Sequence, residues 1–306
     1  MNLVPSPWLS VILLAVLPLL PASAFAQFLQ VTPNEFAGYK EKAAKGDPVA
    51  QCDLGSCYDI GNGVTKDAVE AVKWYRKAAE QGGAIAQSKL GNCYANGSGV
   101  TKDEVEAVKW QRKAAEQGYP WAQFILANYY ANGKGVTKDA VEATKWMRKA
   151  ADQGDADAQN SLAAYYAKGN GVTQDAVEAV KWYRKAAEQG NVVDQLRLGN
   201  SLFSGSGVTQ DQVEAVKWYR KAAEQGNAEA WAKLGFCYSN GSGVAKDEVE
   251  ACTYWYLASR NNEDAFKNFA VLEKKLSYEA LARAKQRISQ LEEEMMARWA
   301  AKKDGK

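Results

Sequence analysis

The sequence predicts an all-α protein built as an array of six helix–turn–helix units, on three observations. The tetrapeptide G-x-G-V starts at Gly61, Gly97, Gly133, Gly169, Gly205 and Gly241, a constant step of 36 residues. The segment VEAVKWYRKAAEQG stands unchanged at Val69–Gly82, Val177–Gly190 and Val213–Gly226, with near copies starting at Val105 and Val141. Apolar residues inside each unit recur at helical rather than strand spacing. A fixed period of this size marks stacked units, in which no copy buries its apolar faces without a neighbour.

Within the first unit, Ala50, Leu54, Cys57 and Tyr58 share one face of a first helix. Gly61 follows where a helix end favours positive φ, and Val64 is expected to tuck under the turn. Asp67 and Glu70 then open a second helix as a capping box. The pair recurs as Asp103/Glu106, Asp139/Glu142, Asp175/Glu178, Asp211/Glu214 and Asp247/Glu250. Carboxylates at every helix start read as caps rather than as a catalytic pair. Ala71, Trp74, Tyr75 and Ala78 follow i, i+3, i+4, i+7 and so form a buried face. The column Trp74, Trp110, Trp146, Trp182, Trp218 is therefore core. Lys73, Arg76 and Lys77 recur beside Asp67, Glu70 and Glu80, with Arg76 and Glu80 one turn apart. This balance predicts an ion-paired, solvated outer face.

Lys and Arg total 38 and Asp and Glu 36, so a net charge of +2 offers no general pull towards nucleic acid. The chain has no histidine, which removes Ser/His/Asp and Cys/His catalysis and the commonest zinc ligand. No metal or cofactor site is expected. Leu9–Leu20 is an apolar run, followed by PASAFAQ, in which Ala24-Phe25-Ala26 fits a cleavage site. Residues 1–26 are thus expected to be an export signal, although no Lys or Arg precedes the run. The run is too short to cross a bilayer comfortably and contains Pro18. The mature chain is expected to leave the cytoplasm without a membrane span, for a periplasm or the exterior.

The pattern A-x-x-x-L-G-x-x-Y (Ala86, Leu90, Gly91, Tyr94), the turn G-x-G-V-x-x-D and the ending K-A-A-E-Q-G resemble the Sel-one-like repeat family. That family is a relative of the tetratricopeptide repeats with a longer inter-helix turn. The resemblance covers residues 47–262 as units 47–82, 83–118, 119–154, 155–190, 191–226 and 227–262. It implies a right-handed α-solenoid whose concave face binds proteins or peptides, in adaptors of exported, envelope and signalling assemblies. Copy six departs from the pattern: Tyr254 takes the Trp position, with Trp255 beside it. Terminal units need a different outer face, so residues 27–46 and 263–306 read as caps. Leu281, Ala284, Ile288, Leu291 and Met295 line one side of the last helix, either to dock on the solenoid end or to zip against a second chain.

On the first helices the constant face contrasts with a varying one. One varying column runs Asp53, Lys89, Ile125, Ser161, Arg197, Lys233, and another runs Ser56, Asn92, Asn128, Ala164, Asn200, Phe236. Such variation suits a heterogeneous partner, and equally suits drift on an indifferent surface. The candidate ligand-binding set is Asn92, Asn128 and Asn200 as amides for a peptide backbone. Lys89, Arg197 and Lys233 would meet acidic groups, and Trp121, in the loop before the third first helix, is the candidate aromatic anchor. No nucleic-acid partner is expected.

Five cysteines, Cys52, Cys57, Cys93, Cys237 and Cys252, include one pair placed to bridge. Cys237 and Cys252 flank one turn at similar depth, as a disulfide or as two buried thiols. Cysteine-rich relatives pair cysteines within each unit at a spacing absent here, and some are associated with β-lactam binding or hydrolysis. No S-x-x-K or K-T-G occurs. The expected function is therefore a non-catalytic interaction scaffold. A β-lactam-directed or other cell-wall enzyme is the alternative, and a self-associating envelope component a third reading.

Overall fold

Apolar periodicity of 3.6 residues along nearly the whole repeat region leaves helices as its only regular outlet. A computed structural model describes residues 31–304 as fifteen α-helices, with no strand among those residues. The expected export signal, residues 1–26, lies outside the described residues. Helix α1 (Pro33–Ala44) precedes six pairs. These are α2 (Pro48–Ile60) with α3 (Ala68–Glu80), α4 (Ala84–Asn96) with α5 (Glu104–Glu116), and α6 (Pro120–Asn132) with α7 (Ala140–Asp152). Then come α8 (Ala156–Lys168) with α9 (Ala176–Glu188), α10 (Val192–Ser204) with α11 (Gln212–Glu224), and α12 (Ala228–Asn240) with α13 (Glu248–Ser259). Two further helices, α14 (Glu263–Glu273) and α15 (Tyr278–Asp304), complete the array. Up to α14 each helix packs on its neighbours in sequence, whereas α15 packs back on α13. The chain is thus an all-α solenoid with a strip-like core that runs along it from Ala43 to Ile288.

Each G-x-G has two separate tasks. Gly61 is left-handed, with φ 78°, and closes α2 by donating its N–H to the Cys57 carbonyl at 2.9 Å. The second glycine serves contact between units. A Cβ on Gly99 would lie 2.0 Å from the carbonyl oxygen of Ala68, at the start of the preceding unit's second helix. No other residue allows that approach.

The second helices bury the expected faces. Ala71, Tyr75 and Ala78 are buried, as are Trp110, Trp146, Trp182 and Trp218, while Trp74 is half-buried. Over the Trp rings lie lysine ammonium groups, Lys77 above Trp74 at 4.1 Å and Lys221 above Trp218 at 3.9 Å. Two details of the outer face differ from expectation. Asp67 caps the Glu70 N–H at 3.0 Å, but Glu70 does not reach back to complete a box. Its carboxylate instead takes Lys73 at 2.9 Å, and Glu178 and Glu214 also accept the indole N–H of Trp182 and Trp218 at 3.1 Å. A residue three positions along already offers a cation, which competes with the backbone amide. Arg76 likewise reaches the next unit's Tyr94 hydroxyl rather than Glu80.

A buried glutamine in each first helix stitches neighbouring units together. Gln123 Nε2 donates to the Ala115 carbonyl of the preceding unit at 3.1 Å, and its Oε1 accepts from Gln153 of its own unit at 2.8 Å. Gln87, Gln159 and Gln195 repeat both bonds, and Gln51 makes them to Ala43 and Gln81. Buried amides so paired cost little and fix the register between units. Trp231 takes this place in copy six, where the ladder stops. At that end Ala284 and Ile288 of α15 are buried, and Leu291 and Met295 pack on the same core. Three ion pairs hold α15 down: Arg287–Glu250 at 3.1 Å, Arg260–Glu292 at 2.8 Å and Arg298–Glu224 at 3.2 Å.

Candidate functional site: the face of the first helices

Helix geometry puts residues 49, 53, 56 and 60 of each first helix, and their counterparts, on one solvent-facing row. Near the C-terminal end α10, α12 and α14 line a groove of about 840 Å³ on this face. Its walls carry Asn200 and Phe203 from α10, Lys233 and Phe236 from α12, Trp255 from α13 and Asn268 from α14. Phe203 and Phe236 meet edge to face at 6.1 Å between ring centres, and Phe236 is 48% exposed. A large, half-bare aromatic beside a lysine and several amides is a surface that water covers poorly and a peptide covers well.

In three of the six copies, the groove's two included, a glycine of the first helix faces an aromatic of the second. A Cβ on Gly235 would lie 2.5 Å from the Trp255 ring, so only glycine lets that ring lie flat on α12. Gly55 admits Tyr75 and Gly199 admits Tyr219 in the same way, at 2.7 and 2.6 Å. The following column then answers the polar tip beneath it. Tyr219 donates its hydroxyl to Asn200 Oδ1 at 2.9 Å, and Gln111 donates to Asn92 Oδ1 at 2.8 Å. Much of the variation along Ser56, Asn92, Asn128, Ala164, Asn200, Phe236 is therefore internal matching. Asn92 and Asn200 have committed their amide oxygens, which corrects the expectation of three equivalent free amides. Asn128, whose counterpart below is Met147, has no side-chain hydrogen bond among the described residues.

The predicted basic positions divide similarly. Lys89 lies over the Tyr75 ring at 5.5 Å, whereas Lys233 lines the groove. Arg197 donates to Asn160 Oδ1 of the preceding unit at 2.8 Å, approaches Asp194 Oδ1 at 3.3 Å and stacks over Tyr183 at 5.3 Å. Burial pushes the Asp194 carboxyl up to about 6, against the opposing pull of Arg197. Trp121 is 41% exposed and tilts onto Phe124 at 6.0 Å. It lies inside α6 rather than in a loop, because Pro120 takes the first helical position. The structure brings Asn200 and Lys233 into one groove and leaves Lys89, Asn92, Trp121 and Asn128 further back along the array.

All five cysteines are buried free thiols, so the bridge envisaged between Cys237 and Cys252 is not formed. The two sulfurs have different neighbours: Cys237 stands by Tyr219 and Lys233, and Cys252 senses Glu273 of α14. Burial pushes the thiols of Cys52, Cys93, Cys237 and Cys252 up to about 11, which suppresses the thiolate that nucleophilic or redox chemistry needs. Among the described residues no three His, Cys, Asp or Glu side chains gather as metal ligands, and no helix is long and apolar enough to cross a membrane.

The model of the Sel1 repeat matches residues 48–83, 84–119, 122–155, 156–191, 193–227 and 228–263. The chain belongs to the Sel1 repeat family. Its Sel1 array is similar to a crystal structure of a Sel1 repeat protein from Oxalobacter formigenes, with 38% identity, 72% of this chain and 90% of that one covered, and a TM-score of 0.62. It also matches c5321 of uropathogenic Escherichia coli, a protective antigen displaying an SLR fold. That match has 31% identity, covers 86% of this chain and 80% of the other, and has a TM-score of 0.47. Comparison with curated proteins gives no significant match. Sel1 solenoids commonly serve as protein-interaction scaffolds.

Proposed function

We propose that this protein is an exported, non-catalytic scaffold that binds a peptide segment of a partner protein along the face of its first helices. The groove of α10, α12 and α14 is the anchoring site. The carrying observation is the juxtaposition of Phe236, Phe203 and Trp255 with Lys233 and Asn268 in a cavity of about 840 Å³. Apolar walls with a few convergent polar groups are the usual make-up of a recognition pocket. The absence of histidine and the raised thiols support a binding rather than a catalytic role. Export to a periplasm or the exterior rests on the apolar run Leu9–Leu20 and the Ala24-Phe25-Ala26 site.

The test is selection of a displayed peptide library on the mature chain, starting at Gln27, followed by affinity measurement against Phe236→Ala. A central aromatic anchor is worth about 2 kcal/mol, so selected peptides should lose roughly thirtyfold in affinity. Selected peptides that bind the variant as tightly as the parent, or no enrichment at all, would overturn the proposal.

A further inference from the structure

The counterparts of Asp194 are Ala50, Ala86, Ala122, Ala158 and Ala230, all buried where a first helix meets the preceding unit. Asp194 is 0% exposed in the same place, and its Oδ2 has no hydrogen-bond partner. Stacking needs only a methyl group here. A buried carboxylate with a bare oxygen is destabilising unless something else offsets it. Its one charged neighbour is Arg197, whose side chain is 39% exposed on the first-helix face.

Arg197 is held from three sides. Nη1 takes both Asn160 and Asp194, and the plane lies over Tyr183. Among the described residues Nε and Nη2 have no hydrogen-bond partner, and neither is sealed from solvent. These two nitrogens form one edge of the guanidinium, a planar fork that fits the two oxygens of a carboxylate. An arginine fixed by its other edge presents that fork with little rotamer entropy left to lose.

We propose that Arg197, held in place by Asn160 and Tyr183, is the anchor for a carboxylate of the bound segment, and that Asp194 is its proton-operated gate. This rests on the scaffold reading of the first-helix face. While Asp194 is ionised it neutralises Arg197 from 3.3 Å. A second carboxylate then gains little. Once Asp194 takes up a proton, the arginine charge is free to meet the incoming anion. The groups facing Asp194 make it a single titration. Arg197 lies on its own helix, the neutral Tyr183 faces it from α9, Asn160 of α8 is uncharged, and α11 contributes no charge that acts on it. With the carboxyl at about 6, the protonated fraction rises from about 0.06 at pH 7.2 to about 0.9 at pH 5.2. Affinity for a carboxylate should then rise about tenfold over that span, with nearly one proton taken up per ligand bound at pH 7.2 and about 0.1 at pH 5.2.

The experiment uses the mature chain and formate, a carboxylate whose own ionisation lies well below this range. The ¹⁵Nε–¹Hε cross-peak of Arg197, assigned by its loss in Arg197→Lys, is followed during titration at pH 5.2 and 7.2 at constant ionic strength. Expected is a saturating shift of this one cross-peak, about tenfold tighter at the lower pH. In Asp194→Ala, which restores the residue of the other five copies, binding should be tight and equal at both values. A non-saturating shift shared by all arginines, or a tenfold pH effect that survives Asp194→Ala, overturns the proposal. Selected peptides that still depend on Phe236 while Arg197 ignores formate would sink this inference alone. A saturable Arg197 with no selectable peptide would sink the scaffold reading instead and leave an anion site.

Discussion

Replacing Gln123 by alanine tests the joint that makes this chain an array. The change removes two hydrogen bonds, from Gln123 to the Ala115 carbonyl at 3.1 Å and from Gln153 to Gln123 at 2.8 Å. Each contributes about 1 kcal/mol net, and loss of the buried methylene adds about 0.8 kcal/mol. The polar space left behind also has to be filled or hydrated, so the total should be about 2–4 kcal/mol. The exposed partner is the control: Gln153→Ala loses only one of these bonds and should cost under about 1 kcal/mol. Urea unfolding followed by circular dichroism reads both variants. Because Ala115 belongs to the second unit and Gln123 to the third, the weakened joint should also broaden the transition, as nearest-neighbour coupling demands. If Gln123→Ala unfolds within about 0.5 kcal/mol of the parent, or no earlier than Gln153→Ala, the stitching role assigned to the buried amides is wrong.

Three further outcomes are expected. Gly99→Ala places a methyl 2.0 Å from the Ala68 carbonyl oxygen at a φ of 70°, and should lose about 3 kcal/mol or more, read as a drop in Tm. Burial holds the Asp194 carboxyl at about 6, against an ordinary aspartate value of 3.8. Its raised value means that the contribution of Asp194 to stability is most favourable below pH 4 and is lost as pH rises through 6, by about 3 kcal/mol. Asp194→Ala should therefore raise Tm at pH 7.5 and leave it nearly unchanged at pH 4, and an equal gain at both pH values would contradict the assignment. The five thiols should resist an aromatic disulfide reagent in the native chain and react in full only after denaturation. Fast native reaction of any one of them would show that its sulfur is open to solvent.

The helices and turns were legible because their determinants are local: a constant glycine step, D-x-x-E starts and one apolar stripe per helix. The misreadings lie where a side chain had a choice of partners. Glu70 sits at capping spacing, yet Lys73 is equally near and carries a charge. Trp121 was expected in a loop, but Pro120 takes the first helical position, which is compatible with a helix, so Trp121 lies inside it. Column 56 looked like a ligand-facing row because its matching with columns 55 and 75 reaches across two helices, a distance no periodicity reports. The letters show that coupling only in part: glycine at 55, 199 and 235 coincides with Tyr75, Tyr219 and Trp255, but Gly91 faces Gln111 and Ala163 stands opposite Tyr183. The glutamine ladder was equally visible as a column constant through the first five copies, but a polar residue there reads as surface until its burial is known. Asp194 announced itself only as the odd member of an alanine column, and its meaning depends on Arg197 three residues on.

The second glycine of each turn has a consequence for how such a gene changes length. Every unit carries both the notch and the carbonyl that fits the next unit's notch, as Gly99 fits Ala68, Gly135 fits Glu104 and Gly171 fits Ala140. A recombination event that adds or deletes a whole number of interior units therefore hands each survivor a ready-made seat, while one that is a single codon out of phase puts a side chain where none fits. Reach along the ligand-facing row can thus be lengthened or shortened in whole steps without inventing a new contact, with the two ends carried along unaltered.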